Sequence, residues 1–439
     1  MQPALPKATS LLFGAFAFAV IVRVSIPNNV LNVFEHYSNA YDGSGNILEK
    51  IHPGAWMIFA LIIFMFPRVL ARWRHDDGWI ISSMFIMSIA ILVDIMICVF
   101  TGQTASIGYL IDSLFAACAA VCVALCFSAS QRYLLGNVLL IIVILSSIVG
   151  IMEFVANTRF LPKDWGGFML SDLSVRGQGL FSHPLMLGLC DAVAIPVVYL
   201  TNWTRLAKVA ASLILLAGIF AAGARAAAVA SILMAILGLI YTSGKGLDVH
   251  ARILNATLVT VGVLVSAAII LFIASSLGLT ERFEKEGLID DSTMTRVIIF
   301  QIFGYMDWSE LLLGVGNFEM LKLTWIGLNI QEVENSLIAY VFQFGIIGAC
   351  CLVAALLNAL FTLGRRAPLP LKMALVTFLV VAFANNTMSS KSTALLLIFM
   401  LAMAFRDTTV ERGRTTANAR TRPQRFAAMP AHVRLLSNG

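Results

Sequence analysis

Charge is scarce in this chain. Only 12% of its 439 residues are Asp, Glu, Lys or Arg, about half the quarter usual in a soluble domain. Hydrophobic residues make up 59%. A water-soluble fold would have to enclose more apolar side chain than a core of this size holds, so a soluble globular protein is excluded. Cysteine is also sparse, and the seven present (Cys98, Cys118, Cys122, Cys126, Cys190, Cys350 and Cys351) all lie inside apolar runs. That placement rules out a disulfide framework and makes them small apolar side chains. Cys118, Cys122 and Cys126 share a helix face by their spacing of four, yet no histidine is near to complete a metal site, so packing is the reading and neither metal nor cofactor is expected. The first apolar run follows Lys7 like a signal peptide, but no small-residue cleavage site comes after it and Arg23 and Pro27 come first, so it is expected to be retained.

What is present in abundance is long apolar runs. A helix satisfies its own backbone polar groups across about 30 Å of hydrocarbon, so runs of about 18 residues mark membrane spans. Twelve candidates occur: residues 9–26, 54–73, 79–100, 107–127, 133–155, 184–200, 206–222, 226–242, 254–277, 335–363, 371–387 and 392–405. The expected fold is therefore an all-α polytopic membrane protein of about twelve helices, residues 1–405. A basic tail, 406–439, is rich in Arg, Thr, Ala and Pro and has too little to bury to fold. No internal repeat is visible.

Basic residues fall in every second turn: Arg68, Arg72 and Arg74; Arg132; Arg205 and Lys208; Lys245 and Arg252; Arg365, Arg366 and Lys372. Positive residues stay in the cytoplasm. With the tail's Arg412, Arg414, Arg420, Arg422, Arg425 and Arg434, this places both termini inside. It also explains a pI near 9.0 by contact with anionic membrane lipid rather than nucleic acid. The opposite face then carries residues 27–53, 101–106, 156–183, 223–225, 278–334 and 388–391. The loop 278–334, between the ninth and tenth candidates, is the longest. Loops of that length are commonly functional, which puts function on the outer face. Within it, Ser292 to Trp308 reads as an amphipathic helix capped by Asp291 or Ser292, and "LLGVGNF" as a tight turn.

Against this background a few polar residues are conspicuous. "RGQGLFSHPLMLG", residues 176–188, sets Arg176 and three glycines before a span; "AAGARAAAVAS" sets Arg225 in a turn of about three residues with no acidic neighbour in sequence. A guanidinium at the outer membrane surface can take two phosphate oxygens at once, and phosphates at that depth belong to lipids, so the two arginines suggest a pyrophosphate clamp. The structural alternative for Arg225 is a salt bridge to Asp172 or Glu153. Arg296 lies on the loop helix, either facing solvent or meeting the same ligand. His183 precedes Pro184 as a helix-start signal or a proton carrier. Glu334 and Asn335 stand where the tenth candidate begins; there a Glu favours the positive helix end, or faces the arginines. Asp94, Asp112, Glu153 and Asp191 fall inside spans or at their edges, where a carboxyl is costly unless it is paired or in a wet cavity. Asp94 and Asp112 could line an ion path or be neutralised by Arg23 and Arg132; neutralisation is the favoured reading.

From about residue 130 to 390 the chain resembles the O-antigen ligase and Wzy-type polysaccharide polymerase superfamily of bacterial inner membranes. The resemblance lies in "RGQGLFSHPLMLG", "GARAAAVASILMAILGL", "TRVIIFQIF" with "LLGVGNF", and "VENSLIAYVFQFGIIG", in that order, with the long loop before the tenth span. It implies that Arg176, Arg225 and Arg296 hold an undecaprenyl diphosphate-linked glycan. His183 and Asn335 would contribute to binding, and Glu334 would act with Arg176 and Arg225 in catalysis. Ligases usually carry a histidine before the asparagine where this chain has Glu334, which favours an exopolysaccharide repeat-unit polymerase, a glycosyltransferase that needs no metal. O-antigen ligase and a polysaccharide transporter or flippase are the alternatives. A chain-length regulator or export proteins would be its protein partners.

Overall fold

The computed structural model describes residues 7–31, 47–74, 77–103, 105–161, 175–243, parts of 248–272, 298–316, 324, 333 and 335–407. Among them every regular element is helical. The principal helices are α1 (Lys7–Ser25), α2 (Pro53–Trp73), α3 (Gly78–Phe100), a composite α4 (Ala105–Tyr109, Leu110–Phe115 and Ala116–Ala124), α5 (Ala129–Val155), α6 (Pro184–Val198), α7 (Arg205–Ala221), α8 (Arg225–Ser243), α9 (Ser336–Gly364), α10 (Leu369–Phe383) and α11 (Ala394–Phe405). Their starts follow from sequence chemistry. Ser128 and Gln131 form a reciprocal capping box for α5, Thr204 caps α7 through the Ala207 N–H, and prolines occupy the first turns of α2, α6 and α10.

Five of these helices are long and apolar enough to cross a membrane: Pro53–Trp73, Gly78–Phe100, Ser106–Ala124, Ala129–Val155 and Ser336–Gly364. Their outer faces carry large apolar side chains in the open, with Ile63 76%, Phe64 73%, Phe100 81% and Phe361 73% exposed. A surface of that kind suits hydrocarbon and would aggregate in water. Among the described residues the protein is all-helical, and these helices suit a membrane-embedded protein. Two shorter apolar helices, α6 and α11, pack inside. Every residue of α11 is buried, as is every residue of α6 except Leu185. A helix apolar all round belongs in such an interior. Here α11 packs against α4, α5 and α6, while α10 lies against α6 and α8, and α9 against α3.

Several details depart from the simple pattern of uniform spans. α4 contains a π-helical stretch, Leu110–Phe115. Asp112 within it takes the Arg23 Nη2 on one oxygen and the His52 backbone N–H on the other, each at 2.9 Å. The wider turn re-aims this acid toward the α1–α2 corner. α9 breaks at Gly345, whose φ of 69° and ψ of 177° suit glycine, because a Cβ there would fall 2.0 Å from the Leu312 carbonyl oxygen. The kink admits the chain at 308–316: Val315 N–H donates to the Phe342 carbonyl at 2.7 Å and Gln103 Nε2 to the Gly314 carbonyl at 3.1 Å. In the long loop, the first part of the helix expected from Ser292 to Trp308, with its cap at Asp291 or Ser292, lies outside the described residues; the described part holds a 3₁₀ helix, Ile299–Tyr305, and a short α-helix, Trp308–Leu313. Extended Met306 separates the two helices, and the Glu310 side chain accepts the Asp307 N–H at 2.9 Å at the start of the second. The turn expected at "LLGVGNF" is present at Gly314 and Gly316, both at positive φ. The ninth candidate, 254–277, lies largely outside the described residues, as does the tail beyond Asp407.

Candidate functional site

At the ends of α5 and α7, three segments meet. The segment 175–183 is held against α5 by its backbone. Glu153, fully buried near the end of α5, accepts the N–H groups of Gln178 and Gly179 on Oε2 at 2.8 Å each, and that of Phe160 on Oε1 at 3.1 Å. Ser146 Oγ accepts Leu180 N–H at 2.9 Å, and Asn157 Oδ1 accepts Val175 N–H at 3.2 Å. Glu153 is therefore an anchor for the loop's amides. Of the two acids that could pair with Arg225, Glu153 thus serves the loop's amides, and Asp172 lies outside the described residues.

The same loop is pinned to α7. Gly177 N–H donates to the Ala221 carbonyl at 3.0 Å, and a Cβ on Gly177 would sit 2.1 Å from the Gly150 carbonyl oxygen. Only glycine allows that approach of two backbones. The turn after α7 is equally tight: Gly223 has φ +63°, and the Arg176 side chain passes over it, its Nε 3.6 Å from the position a Gly223 Cβ would take. Arg225 follows two residues later as the first residue of α8. Thus Arg176 and Arg225, 49 positions apart in sequence, belong to two turns clamped together at one end of the bundle. Both side chains are half-buried.

His183 caps α6: its Nδ1 accepts the Leu185 N–H at 3.2 Å, and Pro184 follows. This accounts for the histidine as a helix-start residue, and puts the ring proton on Nε2 in the neutral form. Asn335 likewise caps α9, its Oδ1 accepting the Leu337 and Ile338 N–H groups at 3.0 and 3.1 Å. The beginning of α9 is latched to the 385–389 turn: Ser336 N–H and Oγ both donate to the Asn385 carbonyl, and Tyr340 and Tyr109 hydroxyls both donate to the Met388 carbonyl. Arg296 and Glu334 lie outside the described residues.

The arginine corner and the start of α9 are linked by residues that the sequence reading passed over. A small cavity is lined by Arg23, Asn28, Leu180, Ser182, Lys391 and Thr393, so the segment that carries Arg176 forms one wall and the chain running on from the 385–389 turn forms another. Lys391 Nζ donates to the Lys50 carbonyl at 2.8 Å, and the Lys391 carbonyl accepts Asn28 Nδ2 at 3.2 Å. Next to this wall His52 is enclosed: Nδ1 accepts Gly54 N–H at 2.9 Å and Nε2 meets the Ile26 carbonyl at 3.0 Å. Burial, with the nearby charges of Arg23 and Lys391, holds its pKa down to about 2, so the ring is neutral.

Of the carboxyls in the spans, Asp112 is neutralised by Arg23 as expected. Asp94 is not: Arg132 pairs instead with Asp407 at 2.7 Å, and neither Asp94 oxygen has a hydrogen-bond partner. Asp191 accepts Ser147 Oγ at 2.8 Å on Oδ1. Among the described residues no three His, Cys, Asp or Glu side chains come together as metal ligands. No protein-family model matches the chain, and no curated protein matches its sequence.

Proposed function

We propose that the protein is a glycosyltransferase of the bacterial inner membrane that joins glycan repeat units carried on undecaprenyl diphosphate, at the periplasmic surface. The observation that supports this most is the clamping of the Arg176 and Arg225 turns to each other at one end of a membrane-embedded bundle. Two guanidiniums held in adjoining turns suit a diphosphate, each able to form a fork of hydrogen bonds to one phosphoryl group.

In the reaction, a hydroxyl oxygen of the acceptor sugar attacks the anomeric carbon of the donor. The bond from that carbon to the diphosphate oxygen breaks, and undecaprenyl diphosphate leaves with the electron pair. The configuration inverts. Glu334 takes the hydroxyl proton, Arg176 and Arg225 stabilise the charge that grows on the diphosphate, and Arg296 binds glycan or phosphate from the loop. His183 and Asn335 position the helices on either side through their caps. The diphosphate is a good leaving group, so one base is enough.

The test is to supply purified protein in lipid vesicles with undecaprenyl diphosphate-linked oligosaccharide and to resolve the products. A ladder of longer lipid-linked chains is expected. Transfer only to a lipid A-core acceptor would make the protein an O-antigen ligase instead. A second reading, transport, is favoured by Asp94, a buried carboxyl without a hydrogen-bond partner in α3. Movement of the intact lipid-linked glycan across the vesicle, with no change in its length, would establish that reading and refute the transferase.

A further inference from the structure

At the opposite end of the bundle from the arginine corner, a second cationic cluster is built around one indole. Trp79 is the second residue of α3, and three guanidinium carbons lie about its ring: Arg406 at 5.2 Å, Arg366 at 5.8 Å and Arg365 at 6.0 Å from the centroid. Arg365 and Arg366 follow α9 and Arg406 follows α11, so with Trp79 at the start of α3 the fold brings together residues up to 327 positions apart. Arg132, from the first turn of α5, joins through Asp407.

The acceptors within this cluster fall short of its donors. Asp407 takes Arg132 Nη2 at 2.7 Å and stands 3.5 Å from Arg406 Nε; Asp77 is 3.8 Å from Arg406 Nη2. These are four arginines against two carboxylates among the described residues. Arg406 is only 4% exposed, yet its Nε and Nη1 have no hydrogen-bond partner, and neither has Trp79 Nε1. Buried donors of this kind are normally satisfied, and a buried guanidinium more than most. Arg365 and Arg366 stand exposed at the rim. Among the described residues the cluster carries more positive than negative charge, and its open side, at Arg365 and Arg366, suits an anion rich in acceptor oxygens.

We propose that the cluster of Trp79, Arg365, Arg366 and Arg406 binds the phosphodiester of an anionic phospholipid headgroup. Arg365 and Arg366 meet the phosphate from the rim, and Trp79 sits at the depth where indoles favour the headgroup layer. Arg406 fixes the ring from beneath by its cation–π contact and lends its charge to the field. A phospholipid fits better than a soluble phosphate because α3 starts and α9 and α11 end here, at the boundary of the apolar bundle. The bound headgroup would tie those ends together.

The experiment uses the full-length protein in detergent, titrated with phosphatidylglycerol, phosphatidylcholine or inorganic phosphate, with affinity read by native mass spectrometry and thermal stability. Phosphatidylglycerol is expected to bind and raise the melting temperature; phosphatidylcholine and inorganic phosphate are not. Arg365→Gln with Arg366→Gln should weaken phosphatidylglycerol roughly thirty-fold, from the contribution typical of two basic residues at an anionic surface. Arg205→Gln with Lys208→Gln, an equal loss of charge at another basic turn, should leave it within about twofold, by the same reasoning. The proposal fails if both pairs weaken binding alike, if neither does, or if inorganic phosphate stabilises the protein as well as the lipid does. Should the first pair fold poorly, counting the phosphatidylglycerol that copurifies with wild type and with the exposed single variant Arg366→Gln decides the same question.

Discussion

Arg176 and Arg225 carry the functional reading, and their substitutions separate charge from geometry. Arg176→Ala or Arg225→Ala should each lower product formation about 10²- to 10³-fold, the loss typical when a donor aimed at developing charge is removed. Lysine at either position should restore only part, because an ammonium does not form the guanidinium fork. If both alanine variants, correctly inserted, retained full activity, the two residues would have no part in the chemistry. Residue-scale reasoning also reaches stability. His52 is neutral when folded, with its pKa held down to about 2, whereas the unfolded side chain titrates near 6.5. The unfolded state therefore binds a proton that the folded state refuses. Stability from this group is complete above about pH 6.5 and falls as pH drops below it, by about 2 kcal/mol at pH 5. His52→Asn keeps an acceptor for the Gly54 N–H and removes the titration. Melting curves from pH 7 to pH 5 should fall more steeply for wild type than for this variant; parallel curves would show that His52 does not set the acid sensitivity. Both arginines could be read from sequence because each is a lone charge among glycines and apolar residues. Lys391 could not, because its importance comes from Lys50, Asn28 and Ser182, which are remote in sequence.

The element that makes the site is the loop 175–183, and two of its attachments, through Glu153 and at Gly177, can be tested by substitution. Glu153→Gln would turn an amide N–H₂ toward the donors of Gln178, Gly179 or Phe160, leaving buried N–H groups unmatched at a cost of about 1–3 kcal/mol. Gly177→Ala would press a methyl into the Gly150 carbonyl. Both should lower the melting temperature, and both should reduce activity at temperatures where the protein is still folded, because the loop carries Arg176. Unchanged activity with a lowered melting temperature would separate the loop from the chemistry. Helix positions were legible from the apolar runs and caps: 54–73 is found as Pro53–Trp73, and 226–242 as Arg225–Ser243. The π-helical stretch at Asp112 and the break at Gly345 were not. Neither changes the apolar composition of its run; each is set by a neighbour, Arg23 and His52 in one case and the Leu312 backbone in the other. Glu153 was legible as a costly buried acid, but its partners are amides of a loop, which no residue type announces.

For the molecule as a whole, one end of the bundle joins the arginine corner, the Lys391 wall and the start of α9, while the other gathers Arg132, Arg365, Arg366 and Arg406 about Trp79. Arg132, Arg365 and Arg366, which the sequence placed in basic turns, lie at that second end. The shared cavity between the 180–182 segment and Lys391 depends on tertiary packing and left no trace in sequence. The central claim, that the Arg176 and Arg225 turns together hold a lipid diphosphate, is tested most directly by binding. Detergent-purified wild type and an Arg176→Gln, Arg225→Gln double variant would be titrated with undecaprenyl diphosphate and undecaprenyl monophosphate. Wild type should bind the diphosphate at least tenfold more tightly than the monophosphate, roughly the difference one added charge-assisted contact makes, and the double variant should bind the two alike. Equal affinity of wild type for both lipids, or a preference for the diphosphate that survives in the double variant, would contradict the claim.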